Sequence, residues 1–119
     1  MRSYRDLKFW DRAHRLVVRV YELSRAFPKE EIINLTATMR RTAMNVTAPL
    51  VEGLAIGGER ESIPLVQSAI GASGLLEYQV LLARDLGYLD DTSFDELTNE
   101  VLELRRQLQT HLVKLKSIR

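Results

Sequence analysis

The sequence predicts an all-α fold, an antiparallel up-down-up-down four-helix bundle. Four segments carry apolar residues at alternating steps of three and four, which is the pattern of an amphipathic helix. The 119 residues include only three prolines and six glycines, the residues that most often interrupt helices and strands, and this favours a few long elements. A short connection around Gly87 joins the last two segments, and helices joined so closely run antiparallel.

This last connection organises the fold. Gly87 follows a helical run and can adopt the left-handed backbone conformation that closes a helix. Tyr88 and Leu89 are apolar and predict contact with the core. Asp90 or Asp91 can accept hydrogen bonds from the free N–H groups at the start of the next helix. The stretch therefore predicts a helical hairpin.

The first helix is predicted from about Asp6 to Ala26. Phe27 precedes Pro28, and a residue before proline is disfavoured in the α conformation, so the helix ends there.

One face of the first helix is basic. Four cations recur at spacings of four, three and four, which places them on the same side: Lys8, Arg12, Arg15 and Arg19. Such a face is either a solvated surface whose long side chains cover apolar groups, or a contact for a polyanion.

The second helix is predicted from Lys29 or Glu30 to Val51. Pro49 removes one helical hydrogen bond, so we expect a kink near this residue or an early end of the helix. The glycines between Gly53 and Glu59 predict a loop, and no phosphate-binding glycine pattern is present there.

The third helix is predicted to start near Glu61 or Ser62, with Ser62 as its cap, and to end near Leu86. Gly71 and Gly74 each weaken a helix interior. We expect a close crossing by another helix as the reason for both glycines.

The fourth helix is predicted from about Asp91 to Ser117, and 1–119 is predicted to be a single domain. Every helix has more apolar surface than one bundle core can hide. Apolar patches left exposed are usually interfaces, so we expect a homo-oligomer.

Composition excludes several classes of function and location. The chain has no cysteine, so thiol chemistry and thiolate metal sites are impossible. No apolar run approaches the length of about 20 residues that crosses a bilayer, and the first residues do not resemble a signal peptide. We therefore expect a cytoplasmic protein without a membrane partner.

The charges are distributed unevenly although the net charge is only +1. Residues 1–41 contain ten Lys/Arg and five Asp/Glu, residues 42–104 contain two and eleven, and residues 105–119 contain five and none. This asymmetry can serve a polyanion or head-to-tail self-association.

No metal, cofactor or small-molecule substrate is predicted. Di-iron bundles need two Glu-x-x-His pairs, whereas this chain has two histidines and one related half-motif, Asp11-x-x-His14. His111 lies on the core seam of the fourth helix, where a packing role is expected.

Three acids are expected near the core. They are interpreted as packing partners of arginines rather than as acid/base groups. The acids are Glu52, Glu77 and Asp85, and the expected partners are Arg40, Arg41 or Arg84.

Three stretches resemble the bacterial four-helix bundle family known as 23S rRNA intervening-sequence proteins. They are SYRDLKFWDRAHRLV, LTATMRRTAMNVTAPLVEG and LLARDLGYL, and the resemblance covers residues 3 to 116. Its most specific parts are Tyr4–Leu7, Arg40-Arg41, Glu52-Gly53 and Leu82–Leu89.

The resemblance implies a small cytoplasmic bundle without an established enzymatic reaction, whose subunits form a ring, typically a homopentamer. One similar branch is the accessory protein of diversity-generating retroelements, which associates with a reverse transcriptase and nucleic acid. The family usually has Ile-Pro-Ala-Asn where this chain has Val46–Pro49, and several basic residues after the position of Gly53, which this chain nearly lacks.

The first hypothesis is a non-enzymatic, ring-forming scaffold that binds RNA, DNA or a nucleic-acid enzyme. Its candidate phosphate contacts are Lys8, Arg12, Arg15 and Arg19, with Arg40 and Arg41. The alternative is a purely structural self-assembly module, in which the basic N-terminal half meets the acidic 85–103 region of a neighbour. An enzyme with an acid/base pair near Glu52 and Asp85 is a third hypothesis, supported by no further signature.

Overall fold

The computed structural model describes residues 8–118 of the chain, and these residues form helices and connections without a strand. The helices are α1 (Lys8–Ser24), α2 (Leu35–Ile56), α3 (Glu59–Asp85) and α4 (Asp91–Lys116), and a short 3-10 helix (Lys29–Glu31) precedes α2. Consecutive helices pack against one another, and α1 also packs against α4. The all-α class and the four helices are thus confirmed.

Each helix buries one stripe of its surface in a shared core. In α4, Leu97, Val101, Leu104 and Leu108 follow steps of three and four, and each is at most 1% exposed. Met39 of α2 is likewise completely buried. The apolar residues at three- and four-residue steps therefore hold the four helices together by removing apolar surface from water.

The connection between α1 and α2 differs from the prediction. The predicted first residues of α1 lie outside the described residues, and α1 ends at Ser24, two residues before the predicted end. The N–H of Phe27 donates to the carbonyl of Ser24 over 3.1 Å, and the Phe27 side chain is buried. This turn directs the chain inward immediately before Pro28.

The predicted start of α2 at Lys29 or Glu30 was wrong. These residues belong to the 3-10 helix, in which the N–H of Glu31 donates to the Pro28 carbonyl over 2.9 Å. Helix α2 begins only at Leu35, whose side chain packs against the core.

The end of α2 also differs from the prediction. The helix continues through Pro49 to Ile56, so it does not end early. The carbonyl of Asn45 loses its helical donor because Pro49 has no N–H, but Asn45 is exposed and water can solvate this end of the gap. The predicted loop from Gly53 to Glu59 shrinks to Gly57 and Gly58.

The two glycines at the end of α2 have different roles. Gly57 has a φ of 85°, the left-handed conformation that ends the helix. Gly53 lies inside α2 and is buried, and a Cβ there would lie 3.0 Å from Ser62 Oγ of α3. Gly53 thus permits the close approach of α2 and α3. Ser62 does not cap α3, because α3 begins at Glu59 and the Ser62 hydroxyl donates to the Gly58 carbonyl over 2.8 Å.

The hairpin between α3 and α4 is confirmed. Gly87 has a φ of 81°, and its N–H donates to the Arg84 carbonyl over 2.9 Å. The N–H of Tyr88 donates to the Ala83 carbonyl over 2.8 Å, which completes the Schellman pattern of a helix end. Asp90 Oδ1 accepts from the Ser93 N–H over 2.7 Å and caps α4.

The close crossing by another helix that was expected at Gly71 and Gly74 is not found among residues 8–118. Both residues are exposed, and a Cβ added at either would meet no described atom within 4 Å. They lie on the side of α3 that faces away from the other helices, so none of the described helices crosses there.

Candidate functional site

The basic face of α1 lies beside acidic residues of α4. Arg12 Nη1 is 3.1 Å from Glu100 Oε2, and Arg19 Nη2 is 3.3 Å from Glu96 Oε2. Both acids belong to the 85–103 region that the structural alternative assigned to contact with a neighbour. Two of the four candidate phosphate-binding cations on this helix are therefore paired with carboxylates of α4.

The other two candidates on α1 are in different environments. Arg15 Nε is 3.1 Å from Asp11 Oδ2, one helical turn earlier, and both side chains are more than 60% exposed. An exposed pair of this kind contributes about 0.3–0.5 kcal/mol, so water or a phosphate can replace the carboxylate at little cost. Lys8 is exposed and forms no ion pair with any residue from 8 to 118.

Arg40 is directed toward α1 rather than toward solvent. Its Nε donates to Ser24 Oγ over 2.8 Å, its Nη2 donates to the Tyr21 carbonyl over 3.4 Å, and its guanidinium lies 4.7 Å from the centre of the Tyr21 ring. Arg40 thus joins α2 to the end of α1. Arg41 is exposed, and its side chain makes no hydrogen bond or ion pair within the described part of the chain. The structure therefore separates the two adjacent arginines and does not bring the six candidates together on one surface.

Of the three acids expected near the core, Asp85 has a predicted arginine partner among residues 8–118, whereas Glu52 and Glu77 do not. Asp85 is exposed and pairs with its neighbour Arg84, and Glu52 is exposed and forms no ion pair with residues 8–118. Glu77 Oε1 accepts from Arg105 Nη2 over 2.7 Å. Arg105 was not identified from the sequence, because its partner lies 28 residues earlier and on another helix.

Neither histidine is placed for metal binding. Among residues 8–118, no group of three or more His, Cys, Asp or Glu side chains could hold a metal ion. His14 stacks on Trp10 at 5.1 Å between ring centres, and His111 lies against Phe9 at 4.9 Å. Both rings therefore pack against aromatic side chains of α1.

His111 also lines a cavity of about 990 Å³ at the end of the bundle where α1 begins and α4 ends. Burial lowers the pKa of His111 below its ordinary 6.5, the charge of Lys114 lowers it further, and Glu59 acts in the opposite direction. Burial thus favours the neutral form of the ring over the charged form. Lys8 and Arg106 also line this cavity, so its rim is basic.

An exposed apolar surface covers the outer side of α3. Leu75, Tyr78 and Leu81 are 52%, 58% and 37% exposed, and Gly71 and Gly74 precede them on the same side. We call these five residues the α3 outer face. Leu75 and Leu81 belong to the apolar surface that the sequence indicated in excess of one bundle core. Tyr78 was missed, although the steps 71, 74, 78 and 81 repeat the three- and four-residue spacing on the opposite side of the helix.

No helix among the described residues is both long and apolar enough to cross a lipid bilayer. The described structure thus defines an all-α protein of four packed helices, with a mostly paired basic face on α1 and an exposed apolar face on α3. The chain belongs to the 23S rRNA-intervening sequence protein family, whose family model matches residues 5–110. This confirms the resemblance noted from the sequence. No curated protein matches the chain.

Proposed function

We propose that this chain is a non-enzymatic, self-assembling helical scaffold of the cytoplasm that associates with nucleic acid or a nucleic-acid enzyme. Each chain forms one antiparallel up-down-up-down bundle domain. Two ion pairs support this topology, because Arg12 contacts Glu100 whereas Arg19, farther along α1, contacts the earlier Glu96.

The α3 outer face carries the proposal of self-assembly. Its side chains leave apolar surface exposed to water. Between Leu75 and Leu81 the one charged residue is Glu77, and its carboxylate is bound to Arg105 of the same chain. Monomeric proteins rarely expose contiguous apolar surface of this kind unless it is an interface. Assembly of five subunits into a ring is the arrangement that the family resemblance implies.

The association with nucleic acid rests on exposed cations. Lys8 and Arg41 have no carboxylate partner among the described residues, and Arg15 and Arg19 keep 65% and 44% of their side chains exposed. Phosphates can compete for such weakly held guanidinium groups. A reverse transcriptase is a protein partner in keeping with this reading. A purely structural module without a nucleic-acid partner is the alternative, favoured by the ion pairs between α1 and α4.

Size-exclusion chromatography with light scattering tests the assembly. We expect a mass near five times the chain mass of 13.7 kDa for the untagged protein. Leu75→Glu places a charge in the α3 outer face and should reduce this mass. Ile33→Glu is the matched control, because Ile33 is 81% exposed in the connection before α2. A monomeric wild-type protein, or equal effects of both variants, would contradict assembly through this face.

Salt-dependent binding of a fluorescent single-stranded RNA tests the nucleic-acid association. We expect that Lys8→Glu combined with Arg15→Glu weakens binding and flattens its dependence on salt, because each lost phosphate contact reduces the logarithmic slope by about 0.7. Lys29→Glu, at another exposed lysine, is the control. Unchanged RNA binding, or no binding by the wild-type protein, would favour the structural alternative.

A further inference from the structure

Helix α2 has a second side that faces away from the core. Its residues recur at steps of three and four, and apart from the partly buried Ala48 they are all exposed. We call them the α2 outer seam: Thr38, Arg41, Asn45, Ala48, Glu52 and Ala55. The seam repeats the spacing of the buried stripe on the opposite side of the same helix, so a second helix can pack along it.

The two charges of the α2 outer seam are opposite in sign and have no partner. Arg41 and Glu52 are both exposed, and neither forms an ion pair with residues 8–118. They are 11 residues apart, which is three helical turns, or about 16.5 Å along one face. The third charged residue of α2, Arg40, is directed toward α1.

Reversing the direction of the helix maps this seam onto itself. If two copies of α2 lie antiparallel with residues 46 and 47 at the centre, Arg41 of each copy faces Glu52 of the other. In the same register Asn45 faces Ala48, and Thr38 faces Ala55. Short side chains at these positions allow the helix axes to approach within about 8–10 Å.

From this charge complementarity we propose that two copies of the chain pack α2 against α2, antiparallel and about a two-fold axis. A parallel arrangement would place Arg41 against Arg41 and Glu52 against Glu52, and like charges at contact distance destabilise a helix pair. A polyanion would neutralise Arg41 but would face the Glu52 carboxylate. A second copy of the same helix satisfies both charges.

This inference rests on the proposed function, because it requires that the chain assembles with itself, and it adds a second contact. A two-fold contact joins chains in pairs and cannot close a ring of five. It therefore joins one assembly to another, whereas the α3 outer face serves the ring. Because Arg41 takes part in the pairing, paired chains lose it as a phosphate contact.

Disulfide cross-linking tests the register directly, since the chain has no cysteine of its own. Thr38→Cys protein mixed with Ala55→Cys protein should form a disulfide between the two chains under mild oxidation. Either variant alone should form much less, because in the antiparallel register two copies of residue 38 are about 25 Å apart along the helices. Cross-linking of Thr38→Cys with itself would show a parallel contact and would overturn the proposal.

Charge reversal tests the same contact by sedimentation velocity at low salt. Arg41→Glu and Glu52→Arg each replace two attractive pairs by two repulsive ones, so each should weaken pairing by on the order of tenfold. A mixture of the two variants should pair again, because every Glu then faces an Arg, and so should the double variant. Failure of both to pair would overturn the proposal.

The outcomes distinguish this inference from the proposed function. The mass near five chains is that of one unpaired ring, and α2 pairing raises the mass above this value as the protein concentration increases. Loss of pairing returns the mass to that of one ring, whereas loss of the α3 contact reduces a ring toward single chains or α2-linked pairs. If the protein had the mass of a ring but the Thr38→Cys and Ala55→Cys proteins formed no mixed disulfide, α2 pairing would be overturned and ring assembly would stand. A monomeric wild-type protein without the mixed disulfide would overturn both.

Discussion

Gln79 of α3 donates from Nε2 to Oγ1 of Thr42 of α2 over 3.0 Å, inside the contact between the two helices. Both residues are at most 5% exposed. Thr42 in turn donates its hydroxyl proton to the Thr38 carbonyl over 2.9 Å, so it has no proton left to donate to Gln79. Gln79 Oε1 is buried without a partner among the described residues, which makes this polar pair an incomplete network in the core.

The incomplete network predicts a coupled effect of two substitutions. Thr42→Val removes the acceptor of Gln79 and should destabilise the protein by about 1–3 kcal/mol, because the amide is left buried and unpaired. Gln79→Met in addition removes both unpaired groups at similar volume, so the double variant should be more stable than Thr42→Val alone. Urea unfolding of the four proteins measures this coupling. Strictly additive costs would show that the hydrogen bond is unimportant.

The spacing of apolar residues was sufficient to predict the four amphipathic helices, and the glycine that ends α3 was predicted at Gly87 itself. Local signals are strong in both cases, because a period of 3.6 residues and a left-handed glycine depend on neighbouring residues only. The extension of α2 through Pro49 was not predicted, since packing on three neighbouring elements outweighs one lost hydrogen bond.

The candidate site was predicted less well than the fold. The spacing of Arg12 and Arg19 correctly placed them on one face, but a single helix cannot indicate that Glu100 and Glu96 of α4 lie beside them. Ion pairs between distant segments depend on the tertiary arrangement. The contact between Glu77 and Arg105 could not be predicted for the same reason, because the two residues lie on different helices.

Replacing a glycine of α3 by alanine should increase the stability of the protein, whereas the same replacement at Gly53 of α2 should not. Gly71→Ala should stabilise the subunit by about 0.5–1 kcal/mol, since its Cβ meets no described atom within 4 Å and alanine is the better helix former. Gly53→Ala should gain less or destabilise, because its Cβ would press on Ser62 Oγ at 3.0 Å. Urea unfolding measures both changes. Each substitution is made in protein that also carries Leu75→Glu, so that changes in self-assembly do not contribute to the measured stability. A larger gain from Gly53→Ala would contradict the close approach of α2 and α3.

His111 predicts a loss of stability on mild acidification. Burial and Lys114 lower the pKa of the folded ring below the 6.5 of an unperturbed histidine. Between these two pKa values the unfolded chain binds more protons, so stability falls as the pH drops from 6.5 toward the folded pKa. An NMR titration should give a His111 midpoint below 6.5.

Two variants separate the causes of this pH dependence. Lys114→Gln should move the His111 midpoint upward by removing the neighbouring cation. His111→Phe should remove this residue's share of the stability loss in urea unfolding at several pH values. A midpoint at or above 6.5 would contradict the partial burial of the ring.

Asp90 caps α4, and its contribution to the stability of the protein should depend on the charge of its carboxylate. Its carboxylate accepts from the Ser93 N–H, and this bond lowers the pKa of Asp90 below its ordinary 3.8. Asp90→Ala should lower the melting temperature at pH 7, because the first turn of α4 loses its side-chain acceptor. Asp91→Ala is the matched control, since Asp91 is an exposed acid at the next position and the Ser93 bond is made by Asp90.

The pH dependence distinguishes the cap from a general effect of charge. A carboxyl group with a lowered folded pKa stabilises above its unfolded pKa, and this contribution is lost as the pH falls through the folded value. The difference in melting temperature between wild-type and Asp90→Ala protein should therefore be present at pH 7 and shrink below about pH 3.8. Circular dichroism melts at both ends of this range measure it. If Asp91→Ala lowered the melting temperature as much as Asp90→Ala at pH 7, the effect would come from the helix dipole and not from the hydrogen bond.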